Sequence, residues 1–235
     1  MRAARAECPD IDEFLLIARR KDRLQAVAAD LAGVKTTLLP LDLTERESLD
    51  EIERFLSERK PEIRLLINNA GFGTLGELEK SSVSSQLNMV SLNDGAAAAL
   101  CAMAAPYMKP GAAIINVSSI AAFVPTPRMA VYGATKAFVL SLSRALREEL
   151  KPRGVNALAV CPGPMDTEFL DVAGITGRSK LFERIPHIQP AQVARGAVRQ
   201  ALKGRAVYTP TLVYKFYRFL AKILPHAWLI PAAKC

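Results

Sequence analysis

Three stretches decide the fold: 112-AAIINVSS-119, 132-YGATKAFVLSLSRALREELK-151 and 155-VNALAV-160. Ala112 to Val117 is a short, mostly apolar run that stops at the hydroxyls of Ser118 and Ser119, which reads as a buried strand ending in a polar turn. Phe138, Leu142, Leu146 and Leu150 then recur every four residues, and Arg144 and Glu148 share that spacing, so Tyr132 to Lys151 is predicted as one long amphipathic helix. Val155 to Val160 is the next strand, closed by Cys161-Pro162-Gly163-Pro164. Strands that are apolar throughout, joined by a helix, belong to a parallel sheet covered on both faces.

Working upstream, the same alternation repeats. Phe14 to Ala18 is an apolar run ended by Arg19-Arg20-Lys21, and a helix follows through Leu24, Val27 and Leu31. Thr36 to Leu41 is a strand ending at Asp42, and Thr44 is suited to cap a helix carrying Leu49, Ile52, Phe55 and Leu56. Arg64 to Ile67 is a third strand, closed by Asn68-Asn69-Ala70-Gly71, and an Ala-rich helix spans about 82 to 108. The reading is α/β, a doubly wound, Rossmann-like parallel sheet, in a single domain over residues 1–235. In such sheets ligands lie beyond the carboxyl ends of the strands, where Arg19-Arg20, Asp42, Asn69 to Gly71, Ser119 and Pro162 to Thr167 all fall.

Composition narrows the class. Half of the 235 residues are apolar and 23% are charged, a globular balance. The net charge of +8 comes from Lys and Arg spread along the chain with no dense run and no interleaved aromatics, which suits a solvated basic surface and argues against a nucleic-acid reader. Cys8, Cys101, Cys161 and Cys235 show no Cys-x-x-Cys spacing, and His187 and His226 have no ligand-like spacing, so no metal site is expected and a reducing, cytoplasmic setting fits. Met1 to Asp10 lacks the apolar core of a signal peptide, and no apolar run is long enough to span a bilayer. The tail, 207 to 235, mixes Tyr214, Phe216, Phe219, Leu220, Ile223 and Leu224 with Lys215, Arg218 and Lys222, an amphipathic helix that could cover a substrate pocket, pack on a second subunit or rest on a membrane surface.

Tyr132 and Lys136 lie one helical turn apart, so both side chains leave the helix on one face. A phenol is a poor base at neutral pH, but an ammonium about 5 Å away would stabilise its anion by about 3 kcal/mol, worth about two pKa units. Such a pair can exchange a proton with a carbinol or carbonyl oxygen while hydride moves to or from a nicotinamide. Asn68-Asn69-Ala70-Gly71, then Ser118-Ser119, then Tyr132-Gly-Ala-Thr-Lys136, then Pro162-Gly163-Pro-Met-Asp-Thr167 stand in an order and spacing that resembles the classical short-chain dehydrogenase/reductase family, from about Phe14 to Phe169.

That resemblance implies an NAD(P)-dependent oxidoreductase interconverting a carbonyl and an alcohol. In it Tyr132 would be the acid/base, Lys136 would bind the nicotinamide ribose and lower the Tyr pKa, and Ser119 would orient the substrate oxygen. Asn93, thirteen residues before Pro106, would hold a proton-relay water, with Asn88 as the competing position. Asp42 would meet the adenine, Asn69, Ala70 and Gly71 the adenosine ribose, and Pro162, Gly163 and Thr167 the nicotinamide. Arg19 and Arg20 follow the strand where the family chooses its cofactor, and guanidinium groups there suit a 2′-phosphate, so NADP is expected, with NAD the alternative. Met165, Phe169, Leu170, Phe182 and the tail aromatics would give the flap after Gly163 an apolar lining and hence a small, apolar substrate, and the resemblance implies a homodimer or homotetramer.

One part of the family pattern is missing. The family opens on a strand and a Gly-rich turn that brings pyrophosphate to a helix N-terminus, whereas Met1 to Glu13 contains no glycine. Two expectations follow: the native start lies upstream and the protein is a complete enzyme, or the chain is a cofactor-free relative acting as an interaction partner. In either case the sheet of the present chain would lack a central strand.

Overall fold

The structure is a computed structural model and describes residues 1–31, 33–179, 182–183 and 185–235. Its first half runs α1 (Arg2–Glu7), β1 (Glu13–Ile17), α2 (Lys21–Ala29), β2 (Lys35–Leu39), α3 (Arg46–Arg59), β3 (Leu65–Asn68), α4 (Val83–Val90) and α5 (Ala97–Ala104). Then come β4 (Ala113–Val117), α6 (Ala130–Leu150), β5 (Asn156–Val160), α7 (Glu168–Val172), α8 (Pro190–Leu202), β6 (Val207–Tyr208), α9 (Leu212–Ile223) and α10 (His226–Leu229).

All strand pairings are parallel, and they fall into two sheets, β1-β2 and β3-β4-β5-β6. The central pair explains the continuous apolar runs: Ile114, Ala157 and Leu158 are fully buried because helices cover both faces. On one face Phe14, Leu16, Ala113, Ile115, Leu158 and Val160 pack against α8 through Val193, Ala197 and Val198. On the other, Ile114, Val155 and Ala157 meet Cys101 of α5 and Leu150 of α6, while Ile52 and Leu56 of α3 cover Ile17 and Leu39. This is a Rossmann-like α/β fold.

One interruption was expected, and three further details depart from the sequence reading. The sheet is not continuous: β1 pairs only with β2 and β3 only with β4, so each is an edge, although Phe14 and Leu16 share a buried cluster with Ile115 and an Asp10–Arg64 ion pair (3.5 Å) links the residues just ahead of the two strands. The stretch at 82–108 is not one α-helix, because a π-helical turn at Ser91–Ala96 separates α4 from α5. The tail does not begin as helix, since Val207 and Tyr208 pair with β5 as β6 before α9 starts at Leu212. In α6 the buried stripe is Tyr132, Lys136, Val139 and Ser143, while Phe138 is exposed, and Glu148 pairs with Arg147 (2.5 Å), not Arg144.

Candidate active site

The strand ends and α6 bring five of the expected residues together. Ser119 follows β4, and its hydroxyl accepts the Ala121 amide at 3.2 Å and hydrogen-bonds the Tyr132 phenol. Tyr132 and Lys136 occupy the first two turns of α6, with the Lys136 ammonium 5.7 Å from the phenol ring centre. The ammonium donates to the Val117 carbonyl at 2.9 Å, which ties α6 to the end of β4. Ser118 reinforces that tie by donating to the Lys136 carbonyl at 2.7 Å.

Asn93 reaches this cluster from the π-turn. Its Oδ1 accepts the Phe72 amide (3.0 Å), and its Nδ2 donates to the Phe72 carbonyl (2.9 Å) and to Thr135 Oγ1 (3.0 Å). Inserting one extra residue per turn rotates Asn93 inward, and such bulges are concentrated at functional sites. Asn88, the competing position, is exposed on α4. Gly71 passes between the two: a Cβ there would lie 2.8 Å from Asn93 Oδ1 and 3.3 Å from the Lys136 ammonium. A bare backbone is therefore required at Gly71.

The electrostatics correct one expectation. Burial pushes the Tyr132 phenol up to about 12, and the opposing hydrogen bond with Ser119 is too weak to reverse it. Burial likewise pushes Lys136 down to about 8, against the pull of Asp94. The ammonium is engaged with a carbonyl instead of the phenol oxygen, so the acidification expected of Tyr132 is outweighed by desolvation.

The remaining expected positions lie around this centre. Arg19 pairs with Asp42 at 3.5 Å, and Asp42 accepts both the amide and the hydroxyl of Thr44, at 3.0 and 2.8 Å. Burial would raise the Asp42 carboxyl, but these bonds and Arg19 hold it below its usual range. Arg20 pairs with Glu168 at 3.2 Å, joined there by Arg23 at 2.8 Å. Asn69 and Ala70 are exposed after β3, and Thr167 is exposed just ahead of α7. Pro162 and Gly163 are buried, and Gly163 is pressed against the Tyr214 ring, which a Cβ there would strike.

The tail meets this site, as one of its expected placements had it, while Gly73 beside Tyr132 escaped the sequence reading. Tyr214 of α9 lies on Gly163 and donates its hydroxyl to the Pro186 carbonyl at 2.6 Å. Gly73 admits the Tyr132 ring, which leans on Phe169 at 5.4 Å between ring centres. Leu170 and Phe182 join Phe169 in the apolar cluster around Tyr132, but Met165 packs into the core beneath α8. His187 bonds Asp166 at 2.5 Å, and no cluster of metal-ligating side chains occurs among the described residues. Two surface hollows of about 390 and 420 Å³, along α8 and α6, touch none of the expected site residues.

A Rossmann-like sheet with a Ser, a Tyr and a Lys gathered at its carboxyl edge defines an oxidoreductase class. The short chain dehydrogenase family model matches residues 10–174. An uncharacterised oxidoreductase of Staphylococcus aureus (strain MRSA252) is 30% identical over 171 residues, 72% of this chain and 74% of the relative. Among solved structures, a short-chain dehydrogenase from Sphingobium yanoikuyae in complex with NADPH is 31% identical, covering 96% of this chain and 92% of that one at a TM-score of 0.75. The bulky-bulky ketone specific alcohol dehydrogenase from Comamonas testosteroni is 28% identical, covering 96% and 90% at a TM-score of 0.72. The chain belongs to the short chain dehydrogenase family, a class of nicotinamide-dependent oxidoreductases.

Proposed function

We propose that the protein reduces an apolar ketone or aldehyde to its alcohol with NADPH as hydride source. The observation that carries this reading is the meeting of Tyr132, Ser119, Lys136, Asn93 and the bare backbone of Gly71 at one sheet edge. A nicotinamide bound there supplies the hydride; the rest is done by side chains. Ser119 holds the carbonyl oxygen beside Tyr132, and the phenol, protonated at neutral pH because burial keeps it so, donates the proton. Lys136 holds the ribose and passes protons between the phenol and the water that Asn93 positions.

The fit to a dinucleotide is uneven. Gly71, Asn69 and Ala70 suit its close approach at the carboxyl end of β3, and Pro162, Gly163 and Thr167 border the nicotinamide end, where Tyr214 must yield some space. Asp42 suits the adenine, and Arg19 and Arg20 suit a 2′-phosphate, because their exposed pairs with Asp42 and Glu168 are weak enough to be exchanged. Residues 1–12, ahead of β1, offer no glycine backbone for a pyrophosphate, and weak binding of NADPH is expected. Fluorescence titration in a chain carrying a Gly-rich strand ahead of β1 checks the preference, and equal affinity for NADPH and NADH would remove the case for Arg19 and Arg20.

A second reading is a cofactor-free family member acting as an interaction partner, which the split sheet and the Tyr214 ring on Gly163 favour. Self-association is part of the proposal: Val83, Leu87 and Val90 of α4 and Phe138 of α6 are exposed apolar residues on adjoining helices, suited to a homodimer or homotetramer. The substrate is apolar because Phe169, Leu170 and Phe182 surround the phenol. Following NADPH absorbance against a panel of carbonyl compounds, with and without an added Gly-rich strand, separates the readings. Turnover in the chain with the added strand is expected, and none in either form would leave the interaction reading standing.

A further inference from the structure

Helix α9 carries two faces of opposite character. Its inner face is fixed to the body: Tyr214 is buried on Gly163, the Tyr217 ring meets Phe123 at 6.4 Å, and the Arg218 guanidinium lies 6.0 Å over the same Phe123 ring. Its outer face is apolar. Leu212, Phe216, Phe219 and Ile223, spaced by four, three and four residues, are 80%, 61%, 54% and 57% exposed, and Trp228 of α10 beyond them is 70% exposed. A soluble surface does not ordinarily present so many large apolar side chains in one stripe. Lys215 and Lys222, seven residues apart and both exposed, stand on one shoulder of it.

Charge identifies what covers this stripe. Residues 184 to 235 contain nine Lys and Arg and no Asp or Glu, whereas residues 1 to 183 hold 22 basic and 23 acidic residues. The whole positive excess of the molecule therefore lies in the last 52 residues, the segment that carries the apolar stripe. A second copy of the same tail would bring like charge onto like charge, and α4 with α6 already offers a separate apolar face for self-association. An anionic lipid surface satisfies both features, since lysines meet headgroups while Phe, Leu, Ile and Trp enter the acyl boundary. No helix among the described residues is long and apolar enough to cross a membrane, and α9, 12 residues and roughly 18 Å long, is suited to lying in the interface plane.

We propose that the outer face of α9, with Trp228, docks this protein on the surface of an anionic bilayer. Trp228 is the only tryptophan in the chain, so its emission reports the tail directly. The test uses the full chain with vesicles of phosphatidylcholine, alone or with phosphatidylglycerol, read by Trp emission and by co-sedimentation. The expected result is a blue shift and co-sedimentation with the anionic vesicles, affinity at least tenfold lower for phosphatidylcholine alone, and release in about 1 M salt, where screening is nearly complete. Phe216→Ser with Phe219→Ser abolishes binding, and Lys215→Gln with Lys222→Gln weakens it about tenfold. Each pair keeps the circular dichroism of the parent. Should either fail to fold, the lipid and salt arms on the unaltered protein still decide the matter. No shift with either vesicle, equal affinity for both, or a shift that follows protein concentration without lipid would overturn the proposal, the last assigning the stripe to a second copy.

Discussion

Asp94 sits in the π-turn beside Asn93, and burial lifts its carboxyl to about 6 although Lys136 pulls the other way. One of its oxygens is buried without a hydrogen-bond partner. The sign follows from proton uptake: between its ordinary value and about 6 the folded state holds the proton more tightly than the unfolded chain, so stability is lost as pH rises through that window. Asp94→Asn is predicted to stabilise the protein by about 1–2 kcal/mol at pH 7, after allowance for partial exposure and for lost attraction to Lys136, and hardly at all at pH 4. Urea midpoints at the two pH values check this, and an equal effect at both would contradict it. Tyr132 and Lys136 were legible as a pair one helical turn apart, and Ser119 and Asn93 through the order and spacing that resemble the family. The depth of their burial was not legible, so the direction of the Tyr132 shift was missed.

Elements were read well where one face dominates and poorly where packing overrides periodicity. The β4-α6-β5 unit follows from the sequence within two residues at each boundary. Yet the stripe of α6 that turns inward is Tyr132, Lys136, Val139 and Ser143, partly polar because the site and a buried amide network occupy it: Asn116 donates to Ser143 at 3.0 Å and accepts from Asn68 at 2.8 Å. A hydrophobic count cannot find such a face. Nor could it find the Tyr214–Gly163 contact, which joins residues 51 positions apart. Gly163→Ala is predicted to cost about 2 kcal/mol through overpacking against that ring and to speed proteolysis within α9. Limited digestion and a thermal melt test it, and an unchanged melting point would mean that α9 is held elsewhere.

At the scale of the molecule, β4 and β5 are paired on both sides and buried on both faces, whereas β1 and β2 pair only with each other. Stability should divide along that line. Amides of β4 and β5 are predicted to exchange with solvent at the global unfolding rate, and those of β1 and β2 at least ten times faster, as a separate cooperative unit. Uniform protection across the six strands, measured by hydrogen exchange, would contradict this. The alternation of strands and helices made the fold class legible from the sequence, and the glycine-free start made an interrupted sheet an expectation. The separation of charge between the first 183 residues and the tail was equally present in the sequence, but it gained meaning only when α9 turned its apolar stripe outward.

The proposed reaction turns on the buried Tyr132 phenol delivering the proton to the substrate oxygen. The most direct test is the initial rate of NADPH-dependent ketone reduction by the chain carrying an added Gly-rich strand, before and after Tyr132→Phe. That change leaves the ring between Gly73 and Phe169 undisturbed. A fall of about 10² to 10⁴ in kcat with little change in KM is predicted. A variant that reduces ketone as fast as its parent would contradict the assignment.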